Sequence, residues 1–312
     1  MNLLKLFFPE TIKYSEKNFA LVYSSFYDIY LGDHIFPGNK YSKIYELICL
    51  DENFSKITIH DPNKVTRSEL ELVHTKEYLD DLFNLCLTER TKFSELPLTE
   101  RILESFLYGV GGTLLAMELT QTYQFVFNLG GGLHHSFSDH AEGFCYLNDV
   151  AVATKKYLLK NPGKQVLIVD LDVHQGNGNS KIFQDDPNVY TFSMHQDDLY
   201  PKKETSDYDI PLKNFTNDAE YLELLKNGLS EIKKDIKPDM IFYLAGADPF
   251  EGDRLGSIKL SFKGLIGRDE LIKNFAKENN SKVVIVTAGG YAKDFIDTVK
   301  IHYHTAQVFA KV

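Results

Sequence analysis

The sequence has few cysteines and no long apolar run at its start, and each absence argues against a class of protein. Its three cysteines, Cys49, Cys86 and Cys145, stand at unrelated spacings. They form no Cys-x-x-Cys pair and no disulfide framework, which favours a reducing, cytoplasmic environment. The apolar stretch in residues 1–10 is interrupted by a lysine and ended by a proline, so it is too short for a signal peptide.

The sequence also lacks a membrane-length apolar run and an excess of positive charge. No stretch approaches the roughly 18 apolar residues of a membrane-spanning helix, so no membrane association is expected. Lys and Arg number 34 against 44 Asp and Glu, which gives a formal net charge of −10. Nucleic-acid binders carry basic patches, so no direct nucleic-acid binding is expected. The negative charge would suit a cationic ligand, and it suits solubility equally well.

Short apolar runs rich in β-branched and aromatic residues alternate with helical patterns along the chain. No repeat or linker divides it, so we expect one domain over residues 1–312. Continuous apolar runs of this length are typical of strands buried on both faces. The alternation predicts an α/β fold with a mostly parallel central sheet and helices on both faces. The predicted strands are 20–24, 57–60, 125–129, 166–171, 189–194, 240–245 and 283–287, and the main predicted helices are 99–119, 148–159, 219–234 and 262–277.

Four of the predicted strands run into polar or glycine-rich segments at their carboxyl ends. Open parallel sheets bind ligands outside the carboxyl ends of their strands. The four segments therefore predict one shared site. They are Gly-Gly-Gly-Leu-His134-His135, Asp172-Val-His174-Gln-Gly-Asn177-Gly, Gly-Ala-Asp248 and Ala-Gly-Gly-Tyr291.

Asp172 and His174 are two residues apart where a strand leaves the sheet, so their side chains point to one side. Asp248, at another strand end, is the third candidate ligand. Two carboxylates and one imidazole roughly neutralise a divalent cation and leave it open to water and a carbonyl group, as in catalytic zinc sites. A binuclear manganese site of the ureohydrolase kind needs Asp-x-His-x-Asp, but the last position is Gly176. A single zinc-like ion is predicted. The structural alternative is a capped turn.

The adjacent His134 and His135 follow three glycines, which let the backbone turn tightly and approach a ligand. Asp170 and Asn177 flank the metal segment, and each would accept a hydrogen bond from one imidazole and fix its tautomer. Tyr291 follows a glycine pair at the fourth strand end, where its phenol would donate to a developing oxyanion. The alternatives are a solvated loop for the histidines and an ordinary structural role for the tyrosine.

These segments occur in the order seen in histone deacetylases, and the chain resembles that family over about residues 20–295. His-Gln-Gly-Asn-Gly, where class I enzymes have His-His-Gly-Asp-Gly, is most similar to class IV and its bacterial relatives. The resemblance implies a deacetylase-like catalytic domain of the arginase/deacetylase fold. It rests further on Glu142-Gly143-Phe144-Cys145-Tyr146-Leu-Asn148-Asp149, Gly252-Asp253-Arg254-Leu255-Gly256, Val73-His74-Thr-Lys-Glu-Tyr-Leu and Asp33-His34-Ile-Phe-Pro-Gly-Asn-Lys-Tyr.

The resemblance implies zinc-dependent hydrolysis of an N-acyl amide. It makes His135 the general base, which takes a proton from zinc-bound water and later protonates the leaving amine. His134, oriented by Asp170, would stabilise charge, and Tyr291 would polarise the acyl carbonyl. Asn177 stands where class I members have the aspartate that supports the second histidine.

The resemblance also implies two bound cations. The zinc ligands would be Asp172, His174 and Asp248. A structural monovalent cation, usually potassium, is expected at Asp170, Asp172, His174, Ser193 and Met194.

The resemblance implies that Gly143, Phe144 and Tyr200 line a narrow apolar tunnel for a lysine stem. The implied substrate is an acylated lysine of a protein or peptide, with acetyl and longer fatty acyl groups both open. Acetylpolyamine amidohydrolases share the chemistry, but polyamine-selective relatives carry an acidic residue at the tunnel mouth, where this chain has Leu255. Another small-molecule role, of the acetoin-utilisation type, stays open. So does a non-catalytic binding protein on the same fold, whose signature would be loss of a ligand, a histidine or the tyrosine.

Overall fold

The computed structural model describes residues 13–312, so the apolar segment at residues 1–10 lies outside the described residues. Within that range the strands are Phe19–Val22 (β1), Ile59–His60 (β2), Phe125–Asn128 (β3), Val166–Asp170 (β4), Val189–Gln196 (β5), Tyr208–Leu212 (β6), Met240–Leu244 (β7) and Lys282–Val286 (β8). They form one sheet in the order β2-β1-β3-β8-β7-β4-β5-β6. Every neighbouring pair is parallel.

The helices of the described range cover both faces of this sheet. They are Lys40–Leu50 (α1), Arg67–Leu70 (α2), Lys76–Phe83 (α3), Glu100–Leu119 (α4), Asp149–Lys160 (α5), Asn177–Phe183 (α6), Asp218–Asp235 (α7), Phe262–Asn279 (α8) and Phe295–Ala310 (α9). Helices α1, α7, α8 and α9 bury side chains in the core on one face, and α3, α4 and α5 do so on the other.

Successive strand residues point into different layers, which explains the continuous apolar runs. Phe125 and Phe127 pack with the layer of α7, α8 and α9, whereas Val126 between them packs with the layer of α4 and α5. All three side chains are almost completely buried. A strand covered on both faces needs apolar residues at every position rather than at alternate positions.

The predicted α/β class is confirmed, and the predicted strands and main helices agree with the structure to within two residues at each end. The edge strand β6 and the helices α1, α2, α3, α6 and α9 were not among the elements predicted from the sequence. Strand β6 contains Asp209 and Pro211 and is half-buried for most of its length. Proline in a strand is typical of a sheet edge, and such a strand lacks the apolar run that identified the others.

Helix α4 is the one helix of the described range that is long and apolar enough to cross a membrane by length and composition. Of its most apolar stretch, 67% is buried inside the protein. The central helix of a packed core meets the same test. Thr99 begins α4 by accepting a hydrogen bond from the backbone N–H of Ile102.

Candidate active site

Four central strands end level with one another, and this brings the polar segments together. Asn128 of β3 pairs with Val286 of β8, Val286 pairs with Leu244 of β7, and Leu244 pairs with Asp170 of β4. Each segment singled out in the sequence begins two residues after this row. The loops therefore meet at the carboxyl edge of the sheet, where parallel sheets bind ligands.

The three predicted metal ligands lie together and are buried. The ligand atoms of Asp172, His174 and Asp248 lie within 4.8 Å of one another. Nδ1 of His174 is 3.1 Å from Oδ1 of Asp172 and 3.4 Å from Oδ2 of Asp248. That Oδ2 is buried and has no hydrogen-bond partner among the described residues. Burial, together with the charge of Asp172, raises the pKa of Asp248 to about 7. A divalent cation would relieve this repulsion, so the three side chains fit one.

Backbone amides hold the two carboxylates in place. Gly289 N–H donates to Oδ2 of Asp172 over 2.7 Å, and His174 N–H donates to Oδ1 over 3.0 Å. Val173 N–H donates to Oδ1 of Asp248 over 2.8 Å. Ligands whose outer contacts are fixed in this way lose little freedom when a metal binds.

Gly176 shows why the segment lacks the third carboxylate of a binuclear site. A Cβ atom at this position would lie 2.1 Å from Oδ2 of Asp170. The same oxygen is 2.7 Å from Nδ1 of His134. An aspartate at position 176 would therefore displace the carboxylate that holds one of the two histidines.

Each histidine of the pair has its own partner. Nδ1 of His134 is 2.7 Å from Asp170, and Nδ1 of His135 is 2.7 Å from Oδ1 of Asn177. The two rings are 4.0 Å apart between centroids and both side chains are buried. The structure thus places a carboxylate behind the first imidazole and a neutral amide behind the second.

This difference in partner separates the two imidazoles electrostatically. Burial alone would lower the pKa of His134, but the charges of Asp170 and Asp172 outweigh it and raise that pKa to about 9. Burial, followed by repulsion from His134 and His174, holds the pKa of His135 well below its usual range. At neutral pH the first imidazole is therefore a cation and the second a neutral base.

The predicted tunnel residues line one cavity above the metal ligands. Its volume is about 220 Å³, and it is lined by Glu95, His135, Gly143, Phe144, His174, Leu199, Tyr200, Leu255 and Tyr291. A Cβ atom at Gly143 would lie 2.6 Å from Cδ2 of His135. Phe144 has a φ of 61°, a rare conformation for a bulky residue that is typical of functional sites. Because Gly143 has no side chain, the cavity wall can lie close to the imidazole of His135.

A family model described as the histone deacetylase domain matches residues 34–308. The chain belongs to the histone deacetylase family. It is a hydrolase of the deacetylase type, and zinc dependence is typical of that family. Membership of class IV stays a prediction.

Relatives of this deacetylase include bacterial and plant proteins. It is 37% identical to an uncharacterised protein of a Picosynechococcus strain, over 86% of this chain and 91% of the relative. It is 31% identical to histone deacetylase 2 of Arabidopsis thaliana, over 88% of this chain and 75% of the relative. It is 30% identical to the acetoin utilization protein AcuC of Bacillus subtilis, over 87% and 77%. A solved structure of an HDAC homologue complexed with SAHA superimposes with a TM-score of 0.80 and 24% identity, over 95% of this chain and 85% of that one.

Tyr291 of this deacetylase lies over the metal ligands, and its loop is held by a carboxylate that the sequence analysis gave no role. Tyr291 N–H donates to Oδ2 of Asp253 over 2.7 Å, and Leu255 N–H donates to Oδ1 over 2.8 Å. Burial, with the charges of Asp172 and other nearby carboxylates, raises the pKa of Tyr291 well above its usual range. The phenol therefore stays protonated and can donate a hydrogen bond.

A second carboxylate without a predicted role holds the loop that carries the histidine pair. Asp149, in the first turn of α5, accepts from Gly132 N–H at 3.0 Å and from Leu133 N–H at 2.8 Å. Asp149 belongs to the segment 142–149 that resembles the family. Its partners, however, are backbone amides 16 and 17 residues away, and no pattern of side chains in the sequence indicates such contacts. The buried Lys40, which donates to the carbonyl of Ala288, was missed for the same reason.

Replacing Asn177 by aspartate is expected to move the acidic limb of the kcat/KM profile of this deacetylase to higher pH. A carboxylate beside Nδ1 stabilises the protonated imidazole more than an amide does, so the pKa of His135 would rise. A base with a raised pKa is protonated, and inactive, up to a higher pH. The measurement is kcat/KM between about pH 5 and pH 10 for both proteins. An unchanged acidic limb would show that His135 is not the titrating base.

Proposed function

We propose that this deacetylase removes acyl groups from the side-chain nitrogen of lysine in proteins or peptides. The observation that carries the proposal is the cavity, which is lined by Phe144 and Tyr200 and reaches His174. His174 belongs to the buried group of metal ligands, with Asp172 and Asp248. The aromatic and aliphatic walls of the cavity suit the apolar stem of a lysine side chain. The acyl carbonyl would then lie at the metal ligands, beside Tyr291 and the histidine pair.

Asp172, His174 and Asp248 would hold the zinc ion. When bound, zinc supplies a Lewis acid that polarises the acyl carbonyl and activates water. The non-catalytic alternative would show a missing ligand, but all three ligands, both histidines and the tyrosine are present.

His135 carries both proton transfers, while Tyr291 and His134 stabilise the charge that develops. His135, which is neutral, takes the proton of the attacking water as the new C–O bond forms. It then delivers that proton to the leaving amine as the C–N bond breaks, so a carboxylic acid and a free lysine are released. Tyr291 donates a hydrogen bond to the oxyanion, and the cationic His134 stabilises the same developing charge.

A monovalent cation, potassium in the first instance, is proposed beside Asp170 and Ser193. Ser193 of β5 pairs with Asp170 of β4, so the two residues adjoin one another in the sheet. The side chains of both are buried. Its occupancy would hold the loop between Asp170 and His174 without entering the reaction.

Acetyl is proposed as the preferred acyl group. At the metal ligands, between the histidine pair and Tyr291, the described residues leave a cavity of only about 30 Å³, which Leu133, Cys145 and Gly289 also line. That is about the space of one water molecule. A long fatty acyl chain would need this cavity to widen.

The test is a mass-spectrometric panel of acetyl-, octanoyl- and myristoyl-lysine peptides beside N-acetylated polyamines. Zinc-loaded protein is compared with protein dialysed against a chelator and with the same protein after zinc is restored. Turnover of acetyl-lysine peptides that is lost with the metal and recovered with zinc is expected. Turnover of polyamines alone would show that the lysine assignment is wrong while keeping the metal site. No turnover in any arm, with zinc bound stoichiometrically, would favour a binding protein.

A small cationic N-acyl amine is the second candidate, because the carboxylate of Glu95 lines the cavity near its mouth. Leu255 lines the same cavity and gives no charge to hold a distant ammonium group. Replacing Leu255 by glutamate is expected to raise kcat/KM for N-acetylated polyamines at least about tenfold relative to an acetyl-lysine peptide, the effect of one added ion pair. An unchanged ratio would mean that position 255 does not select the substrate.

A reducing, cytoplasmic location remains a proposal. Cys49 and Cys86 are exposed and Cys145 is buried, and all three are free thiols. Exposed free thiols are typical of reducing compartments.

A further inference from the structure

A chain of three hydrogen bonds connects the base to the rim of the tunnel. Nδ1 of His135 is 2.7 Å from Oδ1 of Asn177. Nδ2 of Asn177 donates to Oε1 of Glu142 over 2.8 Å, and the phenol of Tyr200 donates to the same oxygen over 3.0 Å. Asn177 is almost completely buried, whereas the Glu142 side chain is 24% exposed.

The carboxylate at the end of this chain determines which way the amide faces. An ionised carboxylate can only accept hydrogen bonds, so the amide atom that faces Glu142 must be the NH2 group. The carbonyl oxygen of Asn177 then has to face His135. Because that oxygen can only accept, Nδ1 of His135 must carry the proton, and Nε2 is left free to take one.

We propose that Glu142 is a positioning residue, which fixes the reactive tautomer of His135 through the amide of Asn177. The inference rests on the proposed function, since the tautomer matters only if His135 is the base. In class I enzymes an aspartate adjoins the imidazole directly. Here the carboxylate of Glu142 contacts the amide of Asn177, and that amide contacts the imidazole. The amide therefore fixes the tautomer of His135 without placing a charge beside the ring.

Without Glu142, the amide of Asn177 loses the acceptor that fixes this orientation. An asparagine can turn over so that NH2 faces Nδ1, and the favoured tautomer then has its proton on Nε2 and cannot act as a base. Neither of two neighbouring groups would fix the orientation of the amide in place of Glu142. Nε2 of His140 lies 4.0 Å from Oε2 of Glu142, beyond hydrogen-bonding distance. The phenol of Tyr200 can accept as well as donate, so it favours neither orientation.

A double-mutant cycle tests the proposal in the zinc-loaded protein. Glu142→Ala is expected to lower kcat roughly tenfold, the usual effect of losing such an outer partner, with a smaller change in KM. Asn177→Asp places two carboxylates within hydrogen-bonding distance, so it also lowers kcat. In that background Glu142→Ala removes the repulsion and is expected to raise kcat. Removal of Glu142 therefore has opposite signs in the two backgrounds.

A purely structural role for Glu142 would not invert the sign. If Glu142→Ala lowered kcat by the same factor in both backgrounds, the carboxylate would be acting only on the local structure, and the proposal would be wrong. Glu89→Gln is the matched control, because Glu89 is an exposed carboxylate whose ion pair, among residues 13–312, is with the nearby Lys92. Thermal unfolding of each variant shows whether the fold is kept.

The tautomer itself can be observed without substrate. In protein labelled with ¹⁵N-histidine, the His135 resonances are assigned by their loss in His135→Ala. The wild-type ring is expected to carry its proton on Nδ1, and Glu142→Ala is expected to move part of the population to Nε2. An unchanged tautomer would overturn the proposal. If no acyl substrate were turned over, the proposed function would fail and this spectrum would still decide the role of Glu142.

Discussion

Replacing His135 by alanine is expected to lower kcat by about 10²- to 10⁴-fold, the usual contribution of a positioned general base. Its imidazole lines the cavity and has the low pKa of a neutral base, whereas the neighbouring His134 is held as a cation by Asp170. His134 therefore cannot take over the proton transfer. The measurement is kcat at saturating acetyl-lysine peptide, with zinc content determined for each preparation.

The zinc content separates loss of the base from loss of the metal site. His135 is not among the three buried ligands, so the alanine variant should bind zinc as the wild type does. His60→Ala is a suitable control, since His60 lies on the edge strand β2, away from the site. Near-normal turnover by His135→Ala, together with complete loss in His134→Ala, would assign the proton transfer to His134.

The fold was predictable because its central strands correspond to continuous apolar runs in the sequence. Each central strand is covered on both faces, so its sequence shows an unbroken apolar segment followed by a turn. Helix α9 was missed because several of its buried positions are polar. His302 and Thr305 are fully buried, and their presence weakens the apolar pattern. Tertiary contacts, not local pattern, account for such positions.

The candidate site was predictable where its chemistry follows from strand ends. Asp172 and His174 share one exit from the sheet, and the parallel register brings Asp248 to the same edge. Asp253 and Glu142 had no such signature. Asp253 contacts the backbone amide of Tyr291, 38 residues away. Glu142 contacts the side-chain amide of Asn177, 35 residues away. Only the folded chain shows those contacts.

Arg268 supports the site from further away, through two backbone carbonyls. It is completely buried in α8, and Nη1 donates to the carbonyl of Gly246 over 2.6 Å and lies 3.5 Å from the carbonyl of Leu171. These residues precede Asp248 and Asp172 in the chain. Its guanidinium pairs with Asp269, with Nε at 3.1 Å and Nη2 at 3.0 Å from Oδ1.

Replacing Arg268 by methionine is expected to lower the free energy of unfolding by about 3–5 kcal/mol, the cost of leaving one member of a buried ion pair uncompensated. The carboxylate of Asp269 would keep hydrogen bonds from Tyr243 at 2.5 Å and Thr305 at 2.7 Å, but it would lose its countercharge. Zinc affinity should fall as well, because the carbonyls that fix both ligand-bearing segments lose their donor. Urea unfolding and competition with a chromophoric chelator measure the two effects.

The double variant Arg268→Met with Asp269→Asn distinguishes charge from packing. It removes both charges and keeps the hydrogen-bonding shape of Asp269, so it should recover part of the lost stability. Zinc affinity should not recover with it, since neither substitution restores a donor to Gly246. If stability and zinc affinity recovered together, the guanidinium would affect the metal site only through global stability, and its contact with the strand ends would have no separate role.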